Sequence, residues 1–232
     1  MSVEPMQAIV LSREFLSPSM IRVRLGGDEL RHFESCGVPD EFIWLSFPKP
    51  DGSMGGRYYT VRHWEQDTRC LTVDFVRHDV GIGTDWACNA SAGDRIEIYL
   101  PRSRFSPPAK GSILLLGDFS ALPAIARIIE EVSPDRLVVA HVEVPTLQDR
   151  LDLRSGENIN IFWHETFGAA NRATSLPDIV RTAIPSGDLG YVWIAGEAKA
   201  VAECRMHVRD AWRIAKDSIT AVGYWVEGQA RG

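Results

Sequence analysis

Two domains of different class are predicted: an N-terminal six-stranded antiparallel β-barrel over residues 1–104, then a C-terminal α/β domain over 112–232 with a five-stranded parallel sheet. Three observations predict this. The first part of the chain falls into short runs of β-branched and aromatic residues separated by turn clusters. Beyond residue 111, continuous apolar strands alternate with helical segments, the pattern of a parallel sheet covered on both faces. Between them Pro101, Pro107, Pro108, Lys110 and Gly111 make an irregular connector.

In the N-terminal part the strand candidates are 6–15, 19–25, 42–47, 56–63, 70–76 and 94–100, with turns at Gly26-Gly27-Asp28, 48–56, Glu65-Gln66-Asp67 and Ala92-Gly93-Asp94. Strands this closely spaced suit a small barrel, because closure removes exposed sheet edges. One segment interrupts them: Gly81-Ile82-Gly83-Thr84-Asp85-Trp86-Ala87-Cys88-Asn89-Ala90 reads as a glycine-rich turn opening a short helix. Free N–H groups at a helix start attract anions where no bulky side chain blocks the approach, with Gly81, Gly83 and Thr84 as the donors. The same residues also suit an ordinary loop-to-helix junction.

In the C-terminal part the strands are 113–116, 137–142, 159–163, 191–195 and 219–225, and the helices 121–132, 176–184 and 198–215. Ligands of such sheets sit at the carboxyl ends of the strands. Those ends carry Gly117-Asp118-Phe119-Ser120, Val142-Glu143-Val144, Trp163-His164-Glu165, Ala195-Gly196-Glu197 and Gly223-Tyr224-Trp225. Ser120 is expected to cap the helix that follows it, and Gly196 to let a ligand approach the backbone. Neither belongs to a Gly-x-Gly-x-x-Gly fingerprint, so plain strand-to-helix turns are an equal reading.

Composition narrows the partners. The chain has 232 residues, 45% hydrophobic and 24% charged, as ordinary globular proteins do. A net charge of −6 argues against nucleic acid. Met1 to Val10 lacks a cationic segment followed by an apolar run, and no apolar stretch is long enough for a bilayer, so a cytoplasmic location without a membrane partner is expected. Cys36, Cys70, Cys88 and Cys204 lack metal-binding spacing and read as reduced, buried or half-buried thiols, with no metal site. No Gly-x-Ser-x-Gly elbow supports acyl transfer.

The stretch Arg57-Tyr58-Tyr59-Thr60-Val61-Arg62 carries the chemistry. Alternation in a strand sets Arg57 and Tyr59 on one side, with Val61 or its neighbours, and Tyr58, Thr60 and Arg62 on the other. An arginine offers a fork to phosphate, a tyrosine a face or edge to a ring, a threonine a hydroxyl to a ring heteroatom. A planar anionic ligand uses all three; cross-strand pairs in an ordinary sheet are the alternative.

Taken together, the Arg57 to Arg62 stretch, Val73-Asp74-Phe75-Val76-Arg77-His78 leading to Gly81 and Trp86-Ala87, Gly93-Asp94, Pro101-Arg102 with Phe105, Ala121-Leu122-Pro123-Ala124-Ile125, Trp193-Ile194-Ala195-Gly196-Glu197-Ala198 and Gly223-Tyr224-Trp225 resemble the ferredoxin–NADP reductase superfamily. More narrowly, they resemble the siderophore-interacting protein family of flavin-dependent ferric-siderophore reductases. The resemblance implies FAD held between the domains. By that likeness Arg57 faces the pyrophosphate, Tyr59 lies against the isoalloxazine and Thr60 bonds near N5, with Val61, Arg62 and Asp74 in the same site. His78, Ile82, Gly83 and Thr84 then receive the pyrophosphate and adenosine end. Asp118, Ser120 and Ala121 approach the flavin from the second domain, Gly196 and Glu197 lie on the nicotinamide side, and Tyr224 and Trp225 border the flavin or the acceptor.

The implied activity passes electrons from NADPH or NADH, with a ferredoxin-type donor as a further candidate, through FAD to a ferric siderophore, releasing ferrous iron. The flavin carries the chemistry, so no catalytic side chain is expected. A general flavin reductase or electron-transfer module, and a flavin-binding sensor or partner protein, remain as alternatives. Two departures from the family pattern stand out. Phe119-Ser120 follows Asp118 where relatives often show Glu-Thr, and Val226-Glu227 follows Trp225 where relatives commonly present arginine. The second lowers the attraction for anionic siderophores unless Arg22, Arg24, Arg102, Arg104, Lys110 or Arg231 compensates.

Overall fold

The computed structural model describes residues 4–49, 51–78, 81–166, 174–185 and 187–229. The chain divides into two compact units, one ending at Arg104 and the other covering Phe105–Gln229.

The first unit is an antiparallel sheet of seven strands, β1 (Met6–Ser17), β2 (Met20–Gly26), β3 (Phe42–Pro48), β4 (Met54–Thr60), β5 (His63–Glu65), β6 (Cys70–Val76) and β7 (Arg95–Arg102), with helix α1 (Ile82–Asn89) between β6 and β7. Its order is β4-β3-β7-β1-β2-β6-β5. Val23, Leu25, Ile43, Leu45, Phe47, Leu71, Val73, Phe75, Ile96 and Ile98 make the core, every second residue along each strand. The six expected strands are joined by a seventh. The run 56–63 is not continuous: β4 stops at Thr60 and His63 begins β5, which pairs with β6. Three residues are too short to show an alternating pattern. At the break, the Val61 N–H donates to Glu41 O at 2.8 Å and the Arg62 N–H to Thr72 O at 2.9 Å, which ties the end of β4 to β6.

The second unit is a parallel sheet of β8 (Ser112–Gly117), β9 (Val138–Val144), β10 (Ile159–Glu165), β11 (Leu189–Glu197) and β12 (Ile219–Trp225), in the order β10-β9-β8-β11-β12. Its helices are α2 (Leu122–Glu131), α3 (Leu176–Thr182) and α4 (Ala198–Asp210). Leu114, Leu116, Val192 and Ile194 pack under Leu176, Ile179, Val201, Cys204 and Val208 of α3 and α4. On the opposite face, Gly117 leaves room for Ala121 and Ile125 at the start of α2. The last helix is shorter than the expected 198–215: Arg213 has φ 57°, a left-handed conformation that a helix cannot continue through. Cys36 is exposed rather than half-buried, while Cys70 and Cys204 are buried.

Among the described residues no helix is long and apolar enough to cross a membrane, and no group of three or more His, Cys, Asp or Glu side chains could hold a metal ion.

One polar pair lies toward the β10 edge. His141 Nδ1 and His164 Nε2 are 3.0 Å apart, and the His141 ring stacks on Phe162. Burial, with His164 beside it, pushes the His141 pKa down to about 4. A histidine with a depressed folded pKa leaves the unfolded chain holding more protons as pH falls from its ordinary value, about 6.5, to that folded value. Stability contributed by the neutral ring is therefore lost across that window, on the order of 1–2 kcal/mol after allowance for partial exposure. Urea midpoints measured from pH 7 to pH 4 are expected to fall for the wild type and to fall less for His141→Phe, which keeps the stack and removes the titration.

Candidate functional site

The β4 face that carries Arg57 and Tyr59 is assembled by absent side chains. A Cβ at Gly83 would strike the Tyr59 hydroxyl and lie 3.0 Å from its Cζ, so the glycine lets the first turn of α1 sit directly on that ring. A Cβ at Gly55 would come within 2.9 Å of Ile82 Cδ1, which places the same turn over the strand two residues before Arg57. The α1 N-terminus and Arg57 thus share one face of β4.

Arg57 is half-buried, and its Nη1 donates to Gly56 O at 2.7 Å. Among the described residues it has no carboxylate partner. The N–H groups of Ile82, Gly83 and Thr84, in the first turn of α1, likewise have no acceptor among the described residues; the first that does is Asp85, bonded to Gly81 O at 2.8 Å. A guanidinium and three backbone donors on one side of a strand make a site for an anion with several oxygens. The Thr84 hydroxyl is already used, donating to Val76 O at 3.0 Å and receiving the His78 N–H at 3.4 Å. Only its backbone remains for a ligand.

Tyr59 is held edge-on against Phe47 and tilted against Phe75, 4.4 Å between centroids. Burial raises its pKa despite the nearby Arg57 charge, so the hydroxyl stays neutral. Thr60, on the other face, has a hydroxyl without a partner among the described residues. Val61 is wholly buried in the core and offers a ligand no side chain. Asp74 is committed elsewhere: its carboxylate receives Arg22 Nε at 2.7 Å and Nη2 at 2.8 Å, and Arg62 Nε lies 3.8 Å away. Asp74 and Arg62 therefore brace β2, β6 and the end of β4.

In the second unit Asp118 dominates the strand ends. Its Oδ1 receives the Ser120 N–H at 2.9 Å and the Ser120 hydroxyl at 2.5 Å; its Oδ2 receives the Glu197 N–H at 2.7 Å and Trp225 Nε1 at 2.8 Å. The carboxylate joins the ends of β8, β11 and β12. Burial raises its pKa and these four donors oppose the rise. One expectation is corrected: Asp118, not Ser120, caps the turn before α2. Gly196, at φ 146°, makes room for Asp118, whose Cγ lies 2.6 Å from where its Cβ would be. Glu197 caps α4 through the Ala200 N–H at 2.9 Å, Ala121 is buried beneath α2, and the Tyr224 ring meets Trp193 edge-on.

Glu143, at the end of β9, stands at one of the strand ends expected to face a ligand, but the chain itself satisfies it. Its carboxylate, buried to 1% exposure, receives the Thr174 hydroxyl together with the Ser175 N–H and hydroxyl, each at 2.5 Å. Burial raises its pKa, with Asp118 adding to the rise. Of the cations expected to offset Glu227, Arg22 is bound to Asp74, Arg24 reaches Cys70 Sγ at 3.3 Å, and Arg231 lies outside the described residues.

Comparison with known proteins gives two family matches, the siderophore-interacting protein family over residues 111–228 and the siderophore-interacting FAD-binding domain over residues 53–105. An uncharacterized protein of Mycobacterium tuberculosis is 30% identical, over 99% of this chain and 93% of its own length. Ferric vibriobactin reductase of Vibrio cholerae is 28% identical, over 94% of this chain and 88% of its own. The crystal structure of a siderophore utilization protein from T. fusca superposes with a TM-score of 0.88 at 29% identity, covering 99% of this chain and 95% of that one.

The Asp118 network predicts the effect of an isosteric change. In Asp118→Asn an amide N–H₂ replaces an acceptor facing backbone, hydroxyl or indole donors. A loss of about 2–4 kcal/mol is expected from two unmade buried hydrogen bonds. Urea unfolding followed by far-ultraviolet circular dichroism reads it.

Proposed function

The chain belongs to the siderophore-interacting protein family, and we propose that it is an FAD-dependent reductase that takes electrons from NADPH or NADH and delivers them to a ferric siderophore. One observation carries this reading: the half-buried Arg57 guanidinium, without a carboxylate partner among the described residues, on the β4 face that also receives the donor end of α1. These groups fit the diphosphate of FAD in charge and in donor number.

When bound, FAD accepts a hydride from a nicotinamide and returns electrons one at a time, the form in which a ferric ion takes them. The protein's own part is binding and placement. Arg57 and the Ile82, Gly83 and Thr84 N–H groups hold the diphosphate, Tyr59 offers the edge of a neutral ring, and Thr60 offers a free hydroxyl to a ring heteroatom. Asp118, Ser120, Glu197 and Trp225 fix the strand ends of the second unit through bonds among themselves, with Gly196 leaving room for Asp118. Reduction lowers the charge on iron, so a ligand built for the ferric ion holds the product weakly and releases it.

A general flavin reductase is the second reading, favoured by the exposed Glu227 where relatives commonly carry arginine. A carboxylate repels an anionic ferric complex.

The test begins with purified protein loaded with FAD under anaerobic conditions. NADPH or NADH is expected to bleach the flavin absorbance, and a ferric siderophore to restore it as ferrous iron appears. Reoxidation by simple quinones or oxygen but by no ferric complex would favour the second reading. Failure to bind any flavin would overturn both. Arg57→Ala is expected to weaken FAD about 10–100-fold, as the loss of a bidentate charge-assisted contact does. The thermal midpoint of the flavin-free protein should change little, because the side chain makes a single backbone bond.

A further inference from the structure

The turn between β3 and β4 brings a second cation to the Arg57 face. Lys49 closes the turn through its own N–H, which donates to Ser53 O at 2.8 Å, and its carbonyl, which accepts the Gly52 N–H at 3.0 Å. Its side chain folds back over Gly55: a Cβ there would overlap Lys49 Cε and lie 3.3 Å from Nζ. The same missing Cβ faces Ile82 at the start of α1. The Lys49 ammonium therefore rests on the strand face of Arg57, beside the donor turn. Asp51 is the acidic neighbour, its pKa lowered first by bonds from Ser53 and then by the Lys49 charge, but it is exposed. No carboxylate lies within ion-pair distance of Lys49 among the described residues.

Position along β4 decides what this cation meets. With the flavin ring at Tyr59 and Thr60, the ligand's tail runs toward lower residue numbers and passes Arg57 first. Gly55, with Lys49 over it, is two residues further, about 7 Å at the rise of an extended strand. We propose that Lys49 is the second cation of the diphosphate site, placed for the adenosine-side phosphate, and so sets the preference for FAD over FMN. The inference rests on the flavin reading above. A lysine acts here as a mobile point charge and not as a fork, so its effect should depend on charge more than on geometry, and on salt. Gly55 is required for the same reason: any side chain at that position would push the lysine stem off the strand.

The test is a titration of flavin-free protein with FAD, FMN and riboflavin at several salt concentrations, for the wild type, Lys49→Met and Lys49→Arg. Methionine keeps an unbranched apolar stem over Gly55, and circular dichroism checks that the fold is kept. Lys49→Met is expected to weaken FAD about tenfold, to change FMN and riboflavin less than about twofold, and to flatten the salt dependence of FAD binding. Lys49→Arg is expected to restore FAD affinity. Unchanged FAD binding in Lys49→Met, or equal weakening of all three flavins, overturns the assignment while the wild type's own FAD binding upholds the flavin reading. A wild type that binds no flavin removes both.

Discussion

A charged side chain that is half out of water must find an opposite charge or a set of dipoles, because desolvation costs more than an exposed position does. Arg22 has Asp74 and Arg127 has Glu131, while the half-buried Arg136 and Arg154 each reach two or more backbone carbonyls. Arg57 has a single backbone carbonyl. Gly55 and Gly83 let the donor end of α1 and the Lys49 ammonium onto the same face, where they add positive potential instead of relieving it. Such an arrangement is costly without an anion and stable with one. That is why the β4 face reads as a site and the Arg22–Asp74–Arg62 cluster reads as bracing.

The second unit solves the reverse problem. Three carboxylates, Asp118, Glu143 and Glu197, end β8, β9 and β11, each buried and each held by donors of the chain, hydroxyl and N–H at Asp118 and Glu143 and backbone N–H at Glu197. Parallel strands leave their last carbonyls and following turns to be organised by something, and here short acidic side chains do it. Raised pKa values at Asp118 and Glu143 show that burial outweighs the donors. A phosphate would be repelled from these centres while they are ionised.

Much of this was legible in the sequence, for definite reasons. The core strands announce themselves by alternation or by unbroken apolar runs, and β6 and β12 have the limits that their composition suggests. The Arg57 to Arg62 stretch could be recognised because charge, ring and hydroxyl lie within one strand. Other features depend on which residues the fold brings together. The need for glycine at 196 shows only once β8 and β11 align and bring Asp118 against it. Thr84 keeps its backbone N–H as a donor, but its hydroxyl turns to Val76, which the sequence does not show. Glu143 stands at an expected strand end, but its partners, Thr174 and Ser175, lie some thirty positions along and are not legible in sequence. Lys49 is an ordinary turn residue until the hairpin folds it across Gly55.

Amide hydrogen exchange of Ile82, Gly83 and Thr84, followed by NMR with and without FAD, tests at the atoms concerned whether the positive face of β4 holds a flavin's diphosphate. These three N–H groups are expected to exchange markedly more slowly once FAD is bound, and FMN to slow them less. Exchange unaltered by saturating FAD, with protection arising elsewhere in the chain, would contradict it.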